Sequence, residues 1–172
     1  MSILELLNLG RFPDLARLRQ GYMAIHQPEK GQLSFRVKIN DPLSSESIEH
    51  IVAFGLGADP SLIRSLYQLC NGLWVADFAV YGLLSGPWGL SQPWDINVPN
   101  GYGRPEGFPK DFLIVGTNHE KDKEVQTLEL SHCITADRRV VVVELEKPDI
   151  ILREYQSIEA WLQMESERAL AA

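Results

Sequence analysis

The hydrophobic rhythm of this chain changes sharply at one place, and that change constrains the fold more than any other feature. From Asp59 to Cys70 the apolar residues Leu62, Ile63, Leu66, Leu69 and Cys70 recur at the spacing of a helix with one buried stripe. After Asn71-Gly72 the run LWVADFAVYGL is aromatic and β-branched, and it reads as a strand over 73–83. A helix ending at Cys70 leaves its last carbonyls without partners, and a left-handed residue lets the following N–H groups turn back to them. Gly adopts that conformation most cheaply and Asn next, so Asn71 and Gly72 are expected to form a structural helix-to-strand joint. The joint predicts positive φ at Gly72 or, failing it, at Asn71.

The remaining elements follow from the same periodicities. ILELLNL and PDLARLRQGYMAI read as two helical pieces within residues 3–25, with Leu15, Leu18, Tyr22 and Ile25 at helical spacing. LSFRVKI alternates strictly and predicts a half-buried strand. SSESIEHIVAFGL opens on serines able to cap a helix, and Asp59-Pro60 is a second helix start. Strands are expected over 111–117, 124–130 and 138–145, with a short DIILRE after a turn at Lys147-Pro148-Asp149. A last helix starts near Ser157 and carries Ile158, Trp161, Leu162 and Glu165. Helices first, then consecutive strands, then a helix predict an α+β fold. Its sheet, antiparallel or mixed, is flanked by N-terminal helices and a C-terminal helix.

With 172 residues the chain reads as a single domain, long enough to bury about 70% of its unfolded surface around one core. Cys70 and Cys133 lie in apolar contexts without metal or disulfide spacing, and read as reduced core residues of an intracellular protein. MSILELLNLGRF carries Glu5 where a signal peptide needs a basic flank, and no run of about 18 apolar residues occurs, so a soluble, cytoplasmic protein is expected. The net charge of −7 is uneven: through residue 86 there are 7 Lys/Arg against 8 Asp/Glu, and beyond it 9 against 15. The acidic second half is a poor phosphate binder, which argues against nucleic acid and leaves a basic protein partner easier to accommodate.

No catalytic or metal-binding constellation emerges. GYGRPEG resembles a dinucleotide loop only loosely, because its third glycine is displaced and Pro105 interrupts it. Ser85 and Ser91 lack a nucleophile-elbow context. His26, His50, His119 and His132 show no paired spacing, and His132-Cys133 on a strand would point to opposite faces. In HEKDKE, Lys121 and Lys123 separate Glu120, Asp122 and Glu124, as on a solvated hairpin tip rather than a calcium loop. Asp77 alternates outward from its strand without an obvious partner. No metal and no cofactor are expected.

At the helix-to-strand joint the order of elements acquires a family likeness. SIEHIVAFGLG, then DPSLIRSLYQLCNG, then a strand ending in VYGL resembles the SUKH superfamily of yeast cell-wall-synthesis regulators and bacterial immunity proteins. FPKDFLIVGTN is similar to that family's strand leading to an Ile-Gly-type turn, and REYQSIEAWLQ to its closing helix. The likeness spans residues 44–165, so the chain reads as a single SUKH-like domain in which 1–40 form an N-terminal extension. It implies a non-catalytic protein-binding module, most concretely a bacterial immunity protein that neutralises a toxin by binding it. A regulatory scaffold of the cell-wall-regulator type is the alternative it leaves open. A third reading is a small-molecule-binding protein or enzyme with a cleft under the 85–111 loop, using Asp77, His119 or Asp95.

The Pro- and Gly-crowded stretch from 85 to 111 is too long for an ordinary connection and too aromatic for a disordered one. Trp88, Trp94 and Tyr102 are the expected partner contacts, with Asp95, Glu106 and Asp111 as steering charges. The same aromatics alternatively fold back as a cover over the sheet.

Overall fold

The structure, a computed structural model, describes residues 1–27, 34–84, 94–121 and 126–171. Chain order runs α1 (Ile3–Leu6), a 3-10 turn (Leu9–Arg11), β1 (Met23–His26), β2 (Phe35–Ile39), α2 (Ser45–Phe54) and α3 (Pro60–Leu69). It continues through β3 (Leu73–Val75), β4 (Phe78–Val80), α4 (Asn97–Asn100), β5 (Leu113–Lys121), β6 (Thr127–Ile134), β7 (Val140–Glu144), β8 (Lys147–Tyr155) and α5 (Ile158–Ala171). Among the described residues the strands form a single sheet in chain order, β1 to β8, and every pairing is antiparallel. The fold is therefore α+β, and the sheet is a meander rather than mixed. No described helix is long and apolar enough to cross a membrane.

Alternation along the strands decides the layers. Val37, Ile39, Leu73, Val75, Phe78, Val80, Leu113 and Val115 project to one face and form the main core with Ile51, Ile63, Leu66 and Tyr67 of the helix pair and Trp161 and Leu162 of α5. Intervening residues point to the opposite face, where Ile114, Cys133, Val141 and Val143 pack under Phe108. The helix pair forms where its caps are: Ser44 Oγ accepts from Ser47 N at 3.3 Å and Asp59 Oδ1 from Leu62 N at 3.0 Å. At α5, Ser157 Oγ accepts from Ala160 N at 3.1 Å.

Gly72 takes φ +82°, as a joint there requires, but the cause is not a helix cap. Cys70 is already extended, and the free carbonyls of Tyr67 and Leu69 accept from Leu43 N at 3.0 Å and Gln20 Nε2 at 2.8 Å. Gly72 is needed because a Cβ there would lie 2.7 Å from Val80 O. Asn71 contributes its side chain: Oδ1 accepts from Leu83 N at 2.7 Å and Nδ2 donates to Leu83 O at 3.2 Å, so it ties the end of α3 to the chain just beyond β4.

Three expectations are corrected. Residues 13–25 do not form a helix: Tyr22 and Ile25, expected on a buried stripe, are 66% and 46% exposed, and Met23–His26 is the first strand. Leu15 is buried and Leu18 packs on the core within a turn, while Gly21 at φ +91° and the Asp14 carboxylate, which binds His26 Nδ1 and Gln27 N, redirect the chain. Residues 73–83 are not one strand but a hairpin that reverses at Ala76-Asp77, where Ala76 takes φ +56°. The expected turn at Lys147-Pro148-Asp149 lies earlier, at Leu145-Glu146, and β8 begins at Lys147.

Candidate functional site

The open face of the sheet, opposite the helices, carries the segment 94–112, the described part of the long loop. Its attachment is polar as well as apolar. Gly82 bridges Asp95 in parallel, donating to Trp94 O at 3.0 Å and accepting from Ile96 N at 2.8 Å. Asp95 is fully buried: Oδ2 accepts from Leu84 N, and Oδ1 from Asn97 N and Asn97 Nδ2, each at 2.9 Å. Asn100 binds β5 as a neighbouring strand would, accepting from Ile114 N and donating to Ile114 O, both at 2.8 Å. Arg104 donates to Phe112 O at 2.9 Å and places its guanidinium 5.3 Å above the Phe108 ring.

The expected contact residues therefore separate into groups. Trp94 is half-buried and stacks edge-on against Trp74 and at a tilt against Tyr81, with centroids 5.9 and 6.0 Å apart, so it serves as a cover. Asp95, expected as an exposed steering charge, is instead buried and holds backbone and side-chain donors of the loop, so it is out of reach of a partner's surface. Tyr102 projects, 82% exposed, and Glu106 and Asp111 are exposed along the same segment. Trp88 lies outside the described residues. Asn100 and Arg104, which fasten the segment, were not singled out by sequence. Their signal was the Asn-Gly pair at 100–101 and a lone arginine among prolines and aromatics.

The titratable groups of the core are committed to structure. Trp161 Nε1 donates to His132 Nδ1 at 2.9 Å, so the imidazole proton sits on Nε2 and is donated to Asn118 Oδ1 at 2.7 Å. Burial first, then the nearby Arg153 charge, push the His132 pKa down to about 3, against the opposing pull of Glu120. Beyond Asn118, Glu120 pairs with Arg153 at 2.8 Å, Arg153 with the buried Glu165 at 2.8 Å, and Tyr155 donates to Glu165 at 2.6 Å. Burial opposes the Arg153 charge, but Glu165 and Glu120 outweigh it and raise its pKa. The sequence signal was a Glu on the buried stripe of α5.

His132 and Cys133 point to opposite faces, the first against Phe78 and Trp161, the second into the cluster beneath Phe108. Burial pushes the Cys70 thiol up to about 12 and the Cys133 thiol higher, which keeps both protonated. Asp77 accepts from His119 N at 3.4 Å on the tip of the β3–β4 hairpin, whereas Asp95 sits beyond the other end of β4, so the three groups of the cleft reading do not converge. Among the described residues no group of three or more His, Cys, Asp or Glu is placed to hold a metal. Of HEKDKE, His119 to Lys121 extend β5, and the rest lies outside the described residues.

No protein-family model, curated protein or solved structure matches this chain.

Proposed function

We propose that this chain is a protein-binding module of the SUKH type, most concretely a cytoplasmic immunity protein that neutralises a toxin domain by covering it. The observation that carries this reading is Tyr102, 82% exposed on a segment whose neighbours are fastened to the sheet by Asp95, Asn100 and Arg104. An exposed aromatic on a pre-organised base presents binding area with little left to lose in ordering. Glu106 and Asp111, exposed on the same segment, supply the negative charge that a basic toxin surface needs.

The test asks whether a neighbouring gene encodes a toxin domain and, with that domain, measures co-expression survival and affinity for wild type, Tyr102→Ala and Trp94→Ala. Tyr102→Ala is expected to keep the melting temperature and lose at least tenfold in affinity, whereas Trp94→Ala loses stability first. Full affinity in Tyr102→Ala combined with Glu106→Ala removes the segment as the interface. Absence of protection by the wild type removes the immunity role.

A further inference from the structure

The sheet has two edges, and they are built differently. β8 begins Lys147-Pro148 and carries two register shifts against β7, so its exposed Ile150, Ile151 and Leu152 lie on an irregular strand that resists pairing. β1 has none of these devices. Met23, Ala24, Ile25 and His26 pair with β2 in unbroken register and contain neither proline nor lysine. Among the described residues no group outside β2 bonds the backbone of these four residues.

Met23 and Ile25, 54% and 46% exposed, face the same side of the sheet as Trp74. Their direct neighbours on β2 are cations: Met23 stands opposite Lys38 and Ile25 opposite Arg36. Beside the start of the strand, Arg17, Arg19, Tyr22 and Met23 line a hollow of about 270 Å³. In a chain with seven more acidic than basic residues, Arg17, Arg19, Arg36 and Lys38 have no ion pair among the described residues; Lys38 Nζ instead sits 5.6 Å from the Trp74 ring centroid. Asp14, which lines the same hollow, is taken by His26 and Gln27.

We infer that the β1 edge docks an extended segment of a protein partner whose side chains alternate between acidic and apolar. Added as a further antiparallel strand, such a segment bonds the outward backbone groups of β1, sets its acidic side chains on the face that carries Met23, Ile25, Arg36 and Lys38, and sets its apolar ones on the other face beside Ala24 and His26. Four residues make a short ladder, so the surrounding cations supply much of the attraction and make binding sensitive to salt. This surface adjoins the 94–112 segment at Trp74, on which Trp94 packs, but does not include Tyr102, and it rests on the protein-binding reading only in taking the ligand to be a protein.

The probe is a fluorescein-labelled ten-residue peptide of alternating glutamate and valine, titrated into the full chain by anisotropy, with amide exchange of the complex. Saturable binding is expected, with protection of the Met23–His26 amides. At least tenfold weakening should follow in Arg36→Glu/Lys38→Glu, whose melting temperature checks the fold, and several-fold weakening on raising salt. A glutamate–serine peptide of equal charge should bind at least fivefold more weakly. The inference is overturned by no binding, by equal binding to the charge-reversed variant, by protection outside β1, or by tighter binding of a ten-nucleotide oligothymidylate. Tyr102→Ala should leave peptide affinity unchanged, so a failure of the immunity reading and a failure of this one are separately visible.

Discussion

Gly72 and Gly107 both take left-handed backbone, at φ +82° and +77°, yet only one has a neighbour in the way. A Cβ on Gly107 would meet nothing within 4 Å, whereas on Gly72 it would meet Val80 O at 2.7 Å and Gly82 N at 3.1 Å. Replacing either glycine by alanine incurs the left-handed penalty, about 1 kcal/mol, but at Gly72 the β3–β4 ladder must also move. Urea unfolding should therefore show Gly72→Ala to be the more destabilising of the two by a further 1 kcal/mol or so; equal losses would show that the backbone there yields freely. Which residue turns left-handed was legible from the Asn-Gly pair. Why it must was not, because the obstruction comes from Val80, on a hairpin partner whose position only tertiary structure sets.

At the scale of elements, legibility followed how local the deciding contacts are. The helix pair and α5 carry caps within three residues of their own starts, and β5 and β7 carry β-branched runs, so sequence placed them, whereas β6, expected over 124–130, lacks such a run and spans Thr127–Ile134. β1 escaped because Leu15, Leu18, Tyr22 and Ile25 fit helical spacing, while the groups that break the helix are Gly21 and the side chain of Asp14 reaching to Gln27. The described part of the long loop, 94–112, was legible as a docked aromatic segment. Asp95 was misread because its acceptors are used inside the loop, although Asp followed two residues later by an accepted N–H is a turn pattern open to sequence. Asn100 holds that segment to β5 through both backbone groups of Ile114. Asn100→Ala leaves these unpaired, at a cost of about 1–3 kcal/mol if they stay buried. Amide exchange should quicken across 96–114 while β6 and β7 keep their protection; unchanged exchange in 96–114 would show that the apolar contacts of Phe108 suffice.

For the whole molecule, the chain from buried Trp161 and His132 through Asn118 to the partly buried Glu120, Arg153 and Tyr155 and the buried Glu165 joins α5 to β5, β6 and β8. Its response to acid is set by His132. Protonation would turn Nδ1 from an acceptor into a donor facing the Trp161 N–H, in a site that also disfavours charge by burial and by Arg153. The folded-state pKa of about 3 lies below the ordinary 6.5, so between these values the unfolded chain binds the extra proton and the folded one does not. The stability due to the neutral ring is complete above pH 6.5 and is lost as pH falls, by about 1.4 kcal/mol per unit at the steepest. Glu5, Asp14, Glu49, Asp59 and Asp137, whose pKa values are lowered, lose their contributions in the same direction, but only as pH falls through the ordinary carboxylate range and below it. The interval from pH 6.5 to 4.5 therefore isolates the imidazole from them. His132→Gln should be less stable than wild type at neutral pH, because the amide cannot reproduce both ring contacts, and should show a markedly flatter stability profile across that interval in urea melts. A profile as steep as that of the wild type would place the acid sensitivity elsewhere in the fold.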